Sequence, residues 1–86
     1  MPEISRFFGI IIRMFYDEHE PPHFHADYQG NNAVFDFCGN VLKGDIKSRT
    51  ARKLIRDWID LHVHELKENW ELARTDNEIK KISPLD

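Results

Sequence analysis

The sequence has almost nothing with which to brace itself covalently: one cysteine, Cys38, stands among 86 residues, so no internal disulfide can form. A lone thiol fits a reducing compartment, and a cytoplasmic location is the expectation. Glycine and proline are scarce at four each, too few for a linker-rich or low-complexity chain, so each one marks a local event in the backbone. No apolar run approaches the roughly 20 residues needed to span a bilayer. "FFGIII" comes closest, with Arg6 ahead of it but no small-residue cleavage site behind it, so neither a membrane span nor a signal peptide is expected. Internal repeats, CxxC pairs and HExxH motifs are absent as well.

What is present is the composition of a soluble globular protein. Hydrophobic residues make up 41% of the chain and charged residues 31%, a balance that disordered segments do not have. The length allows one domain, residues 1–86, whose own core leaves little stability to spare. Aromatic residues ease that constraint, since each buried Phe or Trp removes about 150–250 Å² from water.

The net charge of −3 conceals an asymmetry. Lys43, Lys47, Arg49, Arg52, Lys53 and Arg56 face only Asp45, whereas Asp57, Asp60, Glu65, Glu68 and Glu71 face only Lys67. One reading is a solvated helix with charge pairs spaced along it. The other is a basic end that meets a phosphate or an acidic partner, with Lys47, Arg49, Arg52, Lys53 and Arg56 as candidate nucleic-acid contacts. The total charge argues against a strong nonspecific nucleic-acid binder but leaves room for a local patch.

Periodicity predicts an α+β fold. "SRFFGIIIRMFYD" is rich in β-branched and aromatic residues and apolar on both alternating faces, which predicts a strand over about 5–17 at the centre of a sheet, with Gly9 as a bulge or close approach. "DEHEPP" breaks the pattern, because its prolines forbid a helix. Strands follow at about 23–28 and 33–38, with "QGNN" as the turn between them, and a short fourth fits 41–46. Short loops make this an antiparallel meander. From Ser48 or Thr50 as cap, Ala51, Leu54, Ile55, Trp58, His62, Leu66, Trp70 and Ala73 recur at steps of three and four, predicting one long helix over about 48–75. Leu61 and Val63 widen its stripe, the mark of a kink or break. Ile82 and Leu85 of the tail are placed to dock back on the core. The sheet then packs on the helix by one face.

The chemistry-bearing stretch is "PPHFHADY". Strand residues two apart point the same way, so His23, His25 and Asp27 share the face opposite Phe24, Ala26 and Tyr28. If the apolar set meets the helix, both imidazoles and the carboxylate lie on the open face. A zinc site needs three or four donors around one point; His23 and His25 offer two, and a third would come from His19, Asp17, Asp36 or Cys38. No metal or other cofactor is expected. An acid–base reading uses a histidine beside Asp27, with Arg13 of the first strand as the cation that stabilises a phosphate or oxyanion. These are the parts of a metal-independent ribonuclease, with His23, His25, Asp27 and Arg13 as candidate catalytic residues. The plainer reading is a strand whose histidines hydrogen-bond their neighbours and hold the proline turn. Likewise His62 reads as a half-buried core histidine, and Trp58 and Trp70 as core anchors.

Taken together, "ISRFFGIIIRMFYDEHEPPHFHADYQG", "WIDLHVHELKENWELA" and the tail Ile82-Ser83-Pro84-Leu85 resemble a family of small bacterial proteins of unknown function. Its members open with "ISxFFGI", carry "PPHFHA" and close with a helix holding "NWELA". The resemblance runs from Ile4 to about Ala73, with the tail in addition. It implies a DhiT-like toxin component of a type II toxin–antitoxin module, neutralised by a small antitoxin-like partner from the neighbouring gene, and it assigns no catalytic residues. The expected function is therefore a toxin acting on RNA or the translation machinery. The other reading is a noncatalytic interaction module that binds its neighbour's product through the strand edge and the basic helix start.

Overall fold

A turn in the first apolar run sets the architecture. The computed structural model describes residues 3–16 and 19–85, and in it strands β1 (Glu3–Phe7) and β2 (Ile10–Arg13) form a hairpin instead of one long strand. Phe7 pairs with Ile10, so Phe8 and Gly9 make a two-residue loop, with φ of 49° and 80°. Positive φ at both loop positions is the twist that a tight hairpin requires. The same device recurs at Gln29 and Gly30, with φ of 46° and 81°, between β3 (His23–Tyr28) and β4 (Asn31–Asp36). The expected strand over 5–17 is thus corrected to two. It is not the centre of the sheet either, because the order β1-β2-β3-β4-β5 puts the histidine strand there. The two-sided apolar character that suggested a central strand comes from folding the run back on itself, which brings Phe7, Ile10 and Ile12 into the core and leaves Phe8 exposed.

The third expected strand begins two residues earlier than 33–38, and the short fourth is present as β5 (Val41–Gly44). The sheet is antiparallel throughout. Gly44 has φ of 77°, and a Cβ there would lie 2.3 Å from the Asn32 carbonyl oxygen, so glycine is required where β5 leaves β4.

Helix α1 (Arg49–Arg74) begins at Ser48, whose Oγ accepts a hydrogen bond from the Ala51 N–H at 3.1 Å. Its buried residues include Ala51, Ile55, Trp58, Ile59, Leu66, Trp70 and Ala73, close to the expected stripe. The kink falls at His62, with φ −126° and ψ 20°. Leu61 does not widen the buried stripe but stands 67% exposed, whereas Val63 packs against the core. His62 leans on Trp58 with ring centroids 5.7 Å apart, and its Nδ1 lies 2.6 Å from Glu65 Oε1.

Beyond Thr75 the tail returns across the helix. Asn69, buried at 1%, grips it at both ends of one residue: its Nδ2 donates to the Lys80 carbonyl at 2.8 Å, and its Oδ1 accepts from the Lys80 N–H at 3.0 Å. Trp58 Nε1 donates to the Ser83 carbonyl at 2.9 Å. The Ile82 N–H donates to the Ile4 carbonyl at 2.8 Å, which ties the tail to β1. Ile82 is buried and Leu85 packs beside the core, as expected from the sequence.

Two outcomes follow for stability. Asn69→Ala removes both hydrogen bonds to Lys80 inside a buried site and is expected to cost about 2–3 kcal/mol in urea unfolding. It should also speed hydrogen exchange at the Ile82 amide. Asp36, in the β4–β5 turn, accepts hydrogen bonds from the backbone N–H groups of Cys38 and Asn40 and from Asn40 Nδ2. Burial works to raise its carboxyl, but the bonds from Asn40, Cys38 and Gly39 outweigh it and hold it below its ordinary value of 3.8. A carboxyl held low when folded stabilises the protein above its unfolded value and loses that contribution as pH falls through the folded one. Urea unfolding of Asp36→Ala should therefore show a deficit of about 1–2 kcal/mol at neutral pH that shrinks as pH drops below the ordinary carboxyl range.

Candidate functional site

Because β3 lies in the middle of the sheet, its alternation decides which side chains meet the helix. Phe24 and Ala26 are fully buried. Phe24 stacks on Phe35 with centroids 5.7 Å apart and meets the Trp58 ring edge-on at 5.8 Å. His25 and Asp27 face the other way. Strand register then supplies their neighbours: Arg13 of β2 pairs with His25, His25 with Val34 of β4, and Val34 with Lys43 of β5. Adjacent strands sit about 4.8 Å apart, so these four form a row across the open face. Asp27, one step along β3, reaches back to Arg13 in an ion pair, with both side chains about one-quarter to one-third exposed.

Together with Phe15, which meets the His25 ring edge-on at 4.5 Å, these residues line an open concavity of about 510 Å³. Its chemistry is an imidazole against a phenyl ring, a guanidinium on the neighbouring strand, a carboxylate that orients the guanidinium, and an ammonium on the far side. That set can bind an oxyanion and move a proton beside it. The structure therefore brings Arg13, His25 and Asp27 into one site. It adds Lys43 and Phe15, which the sequence alone did not assign to it, because only cross-strand register places them there.

His23 does not share that site, which corrects the expectation of three side chains in an open row. It is buried at 9%. Its ring packs on Trp70 at 5.2 Å, and its Nδ1 lies 2.7 Å from the Pro21 carbonyl oxygen. A carbonyl only accepts, so Nδ1 carries the proton there. Trp70 itself donates from Nε1 to Glu20 Oε2 at 3.1 Å. The C-terminal half of the helix thus crosses this end of β3 and covers His23, while His25 stays beyond its reach. The two histidine rings remain 5.6 Å apart, so His23 forms the wall behind His25.

The helix-start cations make a second surface. Arg49, Arg52, Lys53 and Arg56 line one shallow hollow with Thr50, and Lys47 is exposed just ahead of them. Part of their charge is already engaged. Arg52 donates to the Ile46 carbonyl at 2.9 Å and lies 3.6 Å from Asp45, and Lys53 meets Asp57 at 3.0 Å. No three His, Cys, Asp or Glu side chains converge as a metal site among the described residues. Asp17 lies outside those residues, and Asp36 is held in its turn. No helix among the described residues is long and apolar enough to cross a membrane.

Comparison with known proteins finds a family model described as a domain of unknown function (DUF4160), which matches residues 9–71. No curated protein and no solved structure matches the chain.

The different settings of the two histidines should separate in unfolding measurements. His23→Ala removes a buried ring and its bond to Pro21, with an expected loss of about 2–3 kcal/mol. His25→Ala, on the open face, is expected to lose less than about 1 kcal/mol. Urea unfolding of both variants, read by tryptophan fluorescence, checks the contrast.

Proposed function

Since the chain belongs to the family described as a domain of unknown function (DUF4160), its own residues have to carry the functional reading, and we propose that it is the toxin component of a bacterial type II toxin–antitoxin module that acts on RNA. The observation that carries the proposal is the open-face concavity in which Arg13, His25, Asp27 and Lys43 meet. A ribose-phosphate backbone offers what this set can handle, namely a phosphate for the two cations and a 2′-hydroxyl proton for the imidazole.

In this reading the protein is a metal-independent ribonuclease. His25 takes the 2′-hydroxyl proton as that oxygen attacks the adjacent phosphorus. The bond from phosphorus to the 5′-oxygen breaks, and the departing oxygen takes a proton from solvent. Products are a 2′,3′-cyclic phosphate and a 5′-hydroxyl. Arg13 and Lys43 hold the phosphate, Asp27 fixes the direction of Arg13, and His23 positions His25 from behind. Lys43 on β5 and Lys47 beyond it lead round the sheet edge toward Arg49, Arg52, Lys53 and Arg56, so the helix-start cations extend the surface along which RNA lies. A small antitoxin-like protein from the neighbouring gene would be the neutralising partner. The alternative, a noncatalytic interaction module, is favoured by the exposed strand β5.

The test is induced expression in bacteria with and without the adjacent reading frame, with total RNA examined for cleavage. Growth arrest with discrete RNA ends is expected, relieved by the neighbouring gene. Folded His25→Ala should lose cleavage by about 100-fold or more. Unaltered growth and intact RNA at high levels of folded protein would sink the proposal.

A further inference from the structure

The two edges of the sheet are treated differently. Along β1 the tail is laid down and bonded, through the Ile82 N–H to the Ile4 carbonyl. At the other edge all of Val41–Gly44 is exposed, and Val41 and Leu42 stand 42% and 46% open. An edge strand with bare backbone groups and apolar side chains is a template for another strand. We infer that β5 is the docking edge for an extended, acidic segment of a partner protein, which adds as a sixth strand.

The acidic character of the occupant follows from what flanks the edge. Arg56 packs against the turn that leads into β5, close enough that a Cβ on Gly39 would lie 3.2 Å from its Cγ. Arg52 reaches the segment that leaves β5, at the Ile46 carbonyl and Asp45. Helix cations therefore bracket β5 at both ends, and Lys43 stands on the strand itself. Asp45, the acidic residue among them, is already beside Arg52. A strand that places carboxylates opposite Lys43 and Arg56 and an apolar residue against Val41 or Leu42 complements all of these at once. A second copy of this chain does not, because its own β5 brings the same cations. Nor does RNA, whose ribose-phosphate backbone has no alternating N–H and C=O groups with which to continue the ladder.

On the toxin reading, such a strand also takes Lys43 and the helix-start cations away from RNA, which is a means of neutralisation. That consequence rests on the proposed function; the docking does not.

The test uses the full chain, isotopically labelled, and a synthetic peptide of about ten residues that alternates valine and glutamate. Amide shifts and slowed hydrogen exchange are expected at residues 41–44, with little change in the β1 edge. A matched valine–lysine peptide should bind at least about tenfold more weakly. Val41→Glu with Leu42→Glu should likewise lose about tenfold; both sites are exposed, and circular dichroism confirms that the fold survives. Equal binding of the lysine peptide, perturbation centred elsewhere, or protection of residues 41–44 by an RNA oligonucleotide but not by the acidic peptide would each overturn the inference. So would protection of β5 in the protein alone through self-association, read by sedimentation. Absence of growth arrest would leave these binding results untouched, so the two proposals fail separately.

Discussion

The contact between the two tryptophans of the helix and the phenylalanines of the sheet is what the rest of the molecule depends on. Trp58 meets Phe24 and Phe7, while Trp70 meets Phe37 and His23. A chain of this size buries only a modest fraction of its surface, so large rings have to fill the interface between one helix and one sheet. The consequence is geometric. One helix covers one face and, at its C-terminal end, His23 as well, so the opposite face around His25 and Asp27 stays open.

The same contact explains why the most recognisable stretches of sequence are distant from each other yet belong together. "PPHFHA" supplies Pro21, His23 and Phe24; "NWELA" supplies Asn69, Trp70 and Ala73. Trp70 packs on His23 and reaches Glu20 just ahead of the prolines. Asn69 grips the returning tail, which in turn reaches β1. Helix, proline turn, tail and first strand therefore form one closed circuit of contacts, and the two motifs are halves of a single packing unit.

Much of the fold was legible because its signals are local. Helix length, the Ser48 cap, the break near His62 and the docking of Ile82 all follow from spacing and capping rules. The first hairpin was not, since Phe8 is a poor marker for a turn and Gly9 alone could equally have been a bulge. His23 was misplaced for a different reason. Alternation along a strand says which face a side chain leaves from, but not whether a helix end passes over that part of the face. Arg13, His25 and Asp27 were legible as chemistry, whereas Lys43 joined them only through the register of β4 with β5, which no local pattern encodes.

That division clarifies the paired histidines. Spacing alone makes His23 and His25 equivalent, and packing makes them different. The ring covered by Trp70 has its Nδ1 proton committed to the Pro21 carbonyl and serves the core. The ring two residues on meets Phe15 edge-on and stands beside Arg13 of the neighbouring strand, on the open face. A small domain has few positions rigid enough to fix the direction of a side chain, and the strands of its sheet supply them. His25 stands on such a strand with its ring 5.6 Å from the His23 ring, which Trp70 covers, and this couples the open face to the packing that stabilises the fold. Substitutions at Trp70 or His23 would therefore reach the open face through packing alone, and their effects there would come with lost stability, whereas those of His25 would not.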